Sequence, residues 1–294
     1  MLTEKNKKLK VINSITWLIL VGVTLAAYFL PLNENNVLTM ETEYPGPLVG
    51  PAFVWYLFFL TLLGLTLFTW FQARSTPHQE LLRAKTRYAL GWTVGASYLL
   101  YSLATVLWHF EKFGWTIFIL ALTSLVLFIA NGNIRDDVDL VNEKFWIRNP
   151  FSIFLGWVFY FLMMTIAMKW QATFSLEMPA FLLLVASLVL VIWYSFINLN
   201  TGVLFVWLIV LILKLIENPA QQTIIYALWG GLAALLISIY FIARLKPYAK
   251  GLRKPVTKAM DKYNYGRFSQ LEALENELNA SLQVNKPGDQ INLK

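Results

Sequence analysis

Residues 150–168 read PFSIFLGWVFYFLMMTIAM, nineteen residues without a charge, closed by Arg148 and Asn149 on one side and Lys169 on the other. A helix of about 20 apolar residues crosses the roughly 30 Å of hydrocarbon in a bilayer. This stretch therefore reads as a transmembrane helix, and seven others resemble it. Val11 to Leu30, Pro51 to Phe71, Tyr88 to Trp108 and Phe113 to Ala130 precede it; Pro179 to Ile197, Gly202 to Ile216 and Ile224 to Ile242 follow. The expected fold class is all-α, a polytopic transmembrane helix bundle of eight spans. The seventh stretch is the shortest and only Asn198 to Thr201 separate it from the sixth, so fusion of the two would leave seven.

Composition agrees. Of the 294 residues, 57% are hydrophobic and 14% charged, too few charges for a water-facing surface. The net charge of +7 does not point to nucleic acid, because the Lys and Arg residues gather at the N-terminus, in alternate loops and after the last apolar stretch. Short loops rich in these residues stay in the cytoplasm. Arg74, Arg83, Lys85 and Arg87 mark the second loop, Arg135, Lys144 and Arg148 the fourth, and Arg244, Lys246, Lys250, Arg253 and Lys254 the tail. With eight spans both termini face the cytoplasm, as expected of a multi-pass protein of the cell membrane. Lys5, Lys7, Lys8 and Lys10 precede an apolar run that continues to Leu30, longer than a signal-peptide core, so it reads as the first span. Beyond Lys258, Leu271, Leu274, Leu278 and Leu282 recur at helical spacing among glutamates, predicting a short amphipathic helix against loops or the membrane surface; Asn285 onward reads as disordered.

The unusual feature is aromatic content: 12 Trp, 13 Tyr and 21 Phe. Trp70, Trp92, Trp108, Trp115 and Trp170 fall at span ends, where rings anchor in the headgroup region. Trp55, Trp157, Trp193, Trp207 and Trp229 fall further inside, where an indole N–H wants a partner. Helical spacing puts Trp157, Tyr160 and Met164 on one face of the fifth span and Tyr98, Tyr101 and Trp108 on one face of the third. If both faces point inward they form a flat slot suited to a planar apolar ligand. Ordinary packing accounts for about half of these rings.

Chemistry has few candidates. No charge lies mid-span; Lys169 and Lys214 sit near span ends, where they snorkel to the interface, and a retinal linkage at Lys214 lacks a mid-span counter-ion. His78 lies in a loop, and His109, beside Glu111, reads as an interfacial hydrogen-bonding residue. Asp136, Asp137 and Asp139 lack the rest of a calcium loop. Cysteine is absent, and no phosphate loop, nucleophile elbow or metal-ligand spacing is present. Gly91 with Gly95, and Gly230 with Ala234, have the spacing that brings helices close, for packing within the chain or for a homodimer. The expectation is a non-enzymatic protein with no catalytic residue, no metal and no cofactor.

Three stretches together resemble the TspO/MBR, or tryptophan-rich sensory protein, family, in particular its longer bacterial members. Trp146 to Trp157, WIRNPFSIFLGW, is similar to their P-F-S-I-Y-L-G-W segment. Leu107 to Glu111, LWHFE, is similar to the W-H-Y-E that ends their third helix. Pro47 to Trp55 follows an acidic loop as their Pro-rich lead-in to the second helix does. The W-x-P-P pair of the short members is absent, and Thr165 to Met168 stand where an Asn is expected late in the fifth helix. The resemblance implies a five-helix core in residues 1–170, with three further helices in 171–245 and a basic, then amphipathic, cytoplasmic tail in 246–294. It also implies a pocket for a tetrapyrrole or sterol-like molecule closed by the first loop. Carried over, Pro47, Pro51, Phe53 and Trp55 form the loop-side wall and Trp157 the fifth-helix wall; Tyr98, Tyr101, Trp108 and Tyr160 join them through helical spacing. The expected partners are the bilayer and a hydrophobic small molecule, a tetrapyrrole among the candidates, with no nucleic acid. The alternative to a sensor or binder is a transporter component for such a molecule; the lack of an internal repeat tells against an inverted-repeat design.

Overall fold

The computed structural model describes residues 2–33, 37–49, 55–73, 90–137, 148–217 and 221–245. These form α1 (Leu2–Phe29), α2 (Val37–Glu43), α3 (Trp55–Ala73), α4 (Thr93–His109), α5 (Phe113–Asp137), α6 (Asn149–Lys169), α7 (Gln171–Phe174), α8 (Glu177–Asn198), α9 (Gly202–Glu217) and α10 (Gln222–Leu245). No strand occurs among the described residues. Six helices (α1, α3, α5, α6, α8 and α10) are long and apolar enough to cross a membrane. α4 and α9, at 17 and 16 residues, are shorter and run within the same bundle. The fold is a polytopic helical membrane bundle, and the seventh stretch is a helix of its own, split from the sixth at Leu199, whose φ of 48° ends α8 in a left-handed turn.

Packing closes a ring. α1 lies against α3 and α4, α4 against α5, α5 against α6, and α6 against α3. Outside the ring, α6 also packs on α8 and α9, which is why 78% of its span is buried against 28% for α1. Small residues permit the close approaches. A Cβ on Gly95 of α4 would stand 3.2 Å from Ile12 of α1; one on Gly156 of α6 would stand 3.0 Å from Val206 of α9; and one on Gly202 would stand 2.6 Å from Cβ of Ser152. Of the stripe predicted in the last span, Gly230 meets nothing within 4 Å, while its neighbour Gly231 sits against Leu188 of α8 and Leu211 of α9.

Polar side chains inside the bundle must find partners because hydrocarbon offers none. Asn13 Nδ2 donates to Gln72 Oε1 (3.1 Å), joining α1 to α3, and Trp17 Nε1 donates to Thr66 Oγ1 (3.2 Å). Toward the start of α6, Ser152 Oγ lies 3.0 Å from Asn131 Oδ1 of α5 and accepts from Asn200 Nδ2 in the α8–α9 turn. Arg148 donates to the Asn198 carbonyl (2.6 Å) at the end of α8, where free carbonyls attract a cation. α8 and α9 are thus stitched to the ring, and α10 packs on them through Gly231.

Several sequence expectations change here. Trp70, Trp92, Trp115 and Trp170 are exposed, as anchors should be, but Trp108 is fully buried. Among the interior tryptophans, Trp55, Trp157 and Trp207 are buried whereas Trp193 and Trp229 face outward. Lys214 does not extend free to the interface: it is buried, bonded to the Val49 carbonyl of the covering loop and to Glu217 at the end of α9. Pro51, Phe53, His78, Asp139, most of the basic loop residues and the amphipathic segment of the tail lie outside the described residues.

Candidate functional site

The ring interior holds rings of another kind. α3 contributes Trp55 and, one turn on, Phe58; α4 contributes Tyr101 and Trp108; α6 contributes Phe154, Trp157 and Phe161. Spacings of three, four and seven along each helix aim these side chains at one axis. Trp55 meets Trp157 at 5.3 Å between centroids, Trp108 at 5.6 Å and Phe161 at 5.6 Å. Phe58 lies nearly parallel to Tyr101 (5.0 Å, 29°) and to Trp157 (5.1 Å, 30°). Across the axis Trp157 Nε1 donates to Tyr101 Oη at 2.7 Å.

The predicted residues therefore part company. Trp55, Tyr101, Trp108 and Trp157 converge. Tyr98 lies one turn away, its hydroxyl 3.5 Å from Thr69 Oγ1 and its nearest ring Phe154 at 6.4 Å. Tyr160 touches Trp157 but turns its other side to Trp207 of α9 (6.4 Å). Pro47 sits in the loop after α2, beside Ala167 near the end of α6 and Gln171 at the start of α7. Phe58, Phe154 and Phe161 complete the cluster and carried a legible signal: each stands three or four residues from a predicted tryptophan on its own helix.

The flat slot is not open in this conformation. Tyr101, Trp108, Phe154, Trp157 and Phe161 expose no surface that water could touch, inside or out. A void of about 10 Å³ remains beside Trp55, Phe58, Thr24, Thr105 and His109, roughly the room of one water. Two polar features stand out. Trp108 Nε1 finds no acceptor among the described residues. His109 has Nδ1 2.8 Å from the Thr105 carbonyl and Nε2 3.0 Å from the Ala27 carbonyl, so it ties α4 to α1 and does not pair with Glu111.

A loop covers the end of the ring where α1 and α4 finish. Met40, Leu48 and Val49 are buried in the same apolar core as Trp55. Tyr44 packs edge-on against Phe113 at the start of α5 (5.0 Å) with the Glu111 carboxylate nearby; burial first, and then that carboxylate, raise the phenol above its ordinary pKa, so it stays neutral.

The family model for TSPO-like protein matches residues 10–241. The chain belongs to the TSPO-like family. The match to this family runs past residue 170, through α8 and α9 and into α10, so the later helices are part of what is shared. No curated protein and no solved structure matches the chain. As a TSPO-like membrane protein it carries its aromatic cluster at the centre of the ring, where α6 faces α3 and α4.

Proposed function

We propose that this TSPO-like protein is a non-enzymatic binder, acting as a sensor, of a planar hydrophobic ligand of the tetrapyrrole or sterol-like class. The observation that carries the reading is an unspent donor in an aromatic enclosure: Trp108 Nε1–H, fully buried and without an acceptor among the described residues, beside Trp55 and Phe161. A buried unpaired donor costs about 1–3 kcal/mol. A ligand that brings a carbonyl, carboxylate or hydroxyl to the edge of an apolar ring system recovers that cost. Phe58, nearly parallel to Tyr101 and Trp157, holds the position a flat ring would take, so binding requires Phe58 and its helix to give way. The apparent affinity is then reduced by the fraction of time the cluster is open.

The test is a titration of protoporphyrin into purified protein, followed by tryptophan quenching. Saturable quenching that weakens in Trp157→Ala supports the reading. A signal that never saturates, or one that Trp157→Ala leaves unchanged, sinks it.

A further inference from the structure

Lys214 occupies a place that its position in the sequence does not explain. It lies three residues from the end of α9, within easy reach of the interface, yet its side chain is 6% exposed. Burying an ammonium costs several kcal/mol unless partners compensate. Two do. Glu217 Oε2 lies 2.7 Å from Nζ, one turn on, and Nζ donates to the carbonyl oxygen of Val49, 165 residues earlier in the chain. Bonds from a charged donor are about twice as strong as neutral ones.

Val49 lies in the loop that covers the ring. Val49 N donates to the Gly46 carbonyl (3.1 Å), which turns residues 46–49 back on themselves. Among the described residues the loop meets three different helix ends. Tyr44 lies against Glu111 and Phe113 at the α4–α5 turn, Gln171 Nε2 donates to the Pro45 carbonyl (3.3 Å) from the start of α7, and Lys214 grips Val49 from α9. The Gln171 bond is exposed and long; the Lys214 bond is buried and charged. Under the loop, Leu48 is 2% exposed and belongs to the same core as Trp55 and Trp108.

We propose that Lys214 is a positioning residue that latches the 44–49 loop over the end of the ring, and so sets how fast an apolar ligand passes to the aromatic cluster. A helix outside the five-membered ring thereby controls access to its interior. The second half of this statement rests on the ligand-binding reading above; the latch itself does not.

The experiment uses the full chain in detergent, in a Leu48→Cys background that exploits the absence of native cysteine. A maleimide modifies the thiol introduced at position 48 only when the loop lifts, so its rate follows the open population. Losing one charged hydrogen bond shifts that population roughly tenfold or more, so Lys214→Met should label at least tenfold faster, whereas Lys214→Arg, which keeps charge and donors, should stay within about threefold of the parent. With protoporphyrin as the probe, Lys214→Met should raise association and dissociation rates together and leave Kd within about threefold. Equal labelling of parent and Lys214→Met overturns the latch. If Lys214→Met does not elute as a single folded species, Glu217→Gln takes its place: faster labelling supports the latch, and labelling at the parent rate overturns it. Absence of porphyrin binding to the parent defeats the ligand reading, while the labelling comparison still decides the latch. Saturable binding with unchanged labelling and rates in the variants defeats the latch alone.

Discussion

Tyr101→Phe removes one oxygen from the centre of the bundle and leaves everything else in place. The ring keeps its stack on Phe58 at 5.0 Å and its edge contact with Phe154 at 5.3 Å. What changes is that Trp157 Nε1, donating to Tyr101 Oη at 2.7 Å, loses its acceptor where water has no access. In water-soluble interiors a stranded donor costs about 1–3 kcal/mol. In membranes, measured interhelical hydrogen bonds average about 0.6 kcal/mol and reach about 1.7, because the unfolded chain in lipid also finds partners. The complete burial of both groups places this pair in the upper half, at about 1–2 kcal/mol. The assay is reversible unfolding of reconstituted protein by SDS in mixed micelles, run as a double-mutant cycle with Trp157→Phe, which subtracts the packing lost with the indole. Tyr98→Phe is the control: with Oη 3.5 Å from Thr69 Oγ1, its bond is at the limit of reach, and it should cost less than about 0.5 kcal/mol. A coupling below about 0.3 kcal/mol between Tyr101 and Trp157, or equal effects of Tyr98→Phe and Tyr101→Phe, refutes the claim that this hydrogen bond holds α4 to α6.

Two further outcomes follow from the same geometry and from the charge pattern. Gly156→Val forces a branched side chain where Cβ alone would stand 3.0 Å from Val206 and 3.2 Å from the Val203 backbone, so it should destabilise the α6–α9 contact by about 1–3 kcal/mol in the same assay, whereas Gly22→Ala, with nothing within 4 Å, should stabilise by about 0.5–1 kcal/mol; equal effects would show that α9 is not packed on α6 as described. For topology, impermeant maleimide on intact cells should modify Asn36→Cys and spare Asp137→Cys, and the reverse pattern would invert the orientation drawn from the Lys and Arg residues.

Much of the site was legible because helical spacing is a local property. Trp157 with Tyr160 and Tyr98 with Tyr101 were assigned to faces without knowledge of neighbours, and the tryptophans at 70, 92, 115 and 170 were assigned to interfaces from span ends. A face does not say what it meets. Tyr160 shares a face with Trp157 yet lies at the boundary, where α6 turns from the ring toward Trp207 of α9. Trp108 ends its helix as an anchor would, but α4 finishes beneath the loop that carries Leu48, so the same position is interior.

The sequence alone determined the class and the order of the apolar stretches, because a bilayer demands apolar runs of a set length and interrupts them with charge, Pro and Asn; α8 and α9 begin and end within two residues of the stretches read from hydropathy, whereas α1 begins at Leu2 instead of Val11 and α5 runs on to Asp137 instead of ending at Ala130. Tertiary structure decided which rings share an axis, that those rings fill the space between them, and that Lys214 turns inward to Val49 and Glu217. The ring pairing across the axis and the grip on Val49 join residues 56 and 165 positions apart, and no local period encodes a partner that distant.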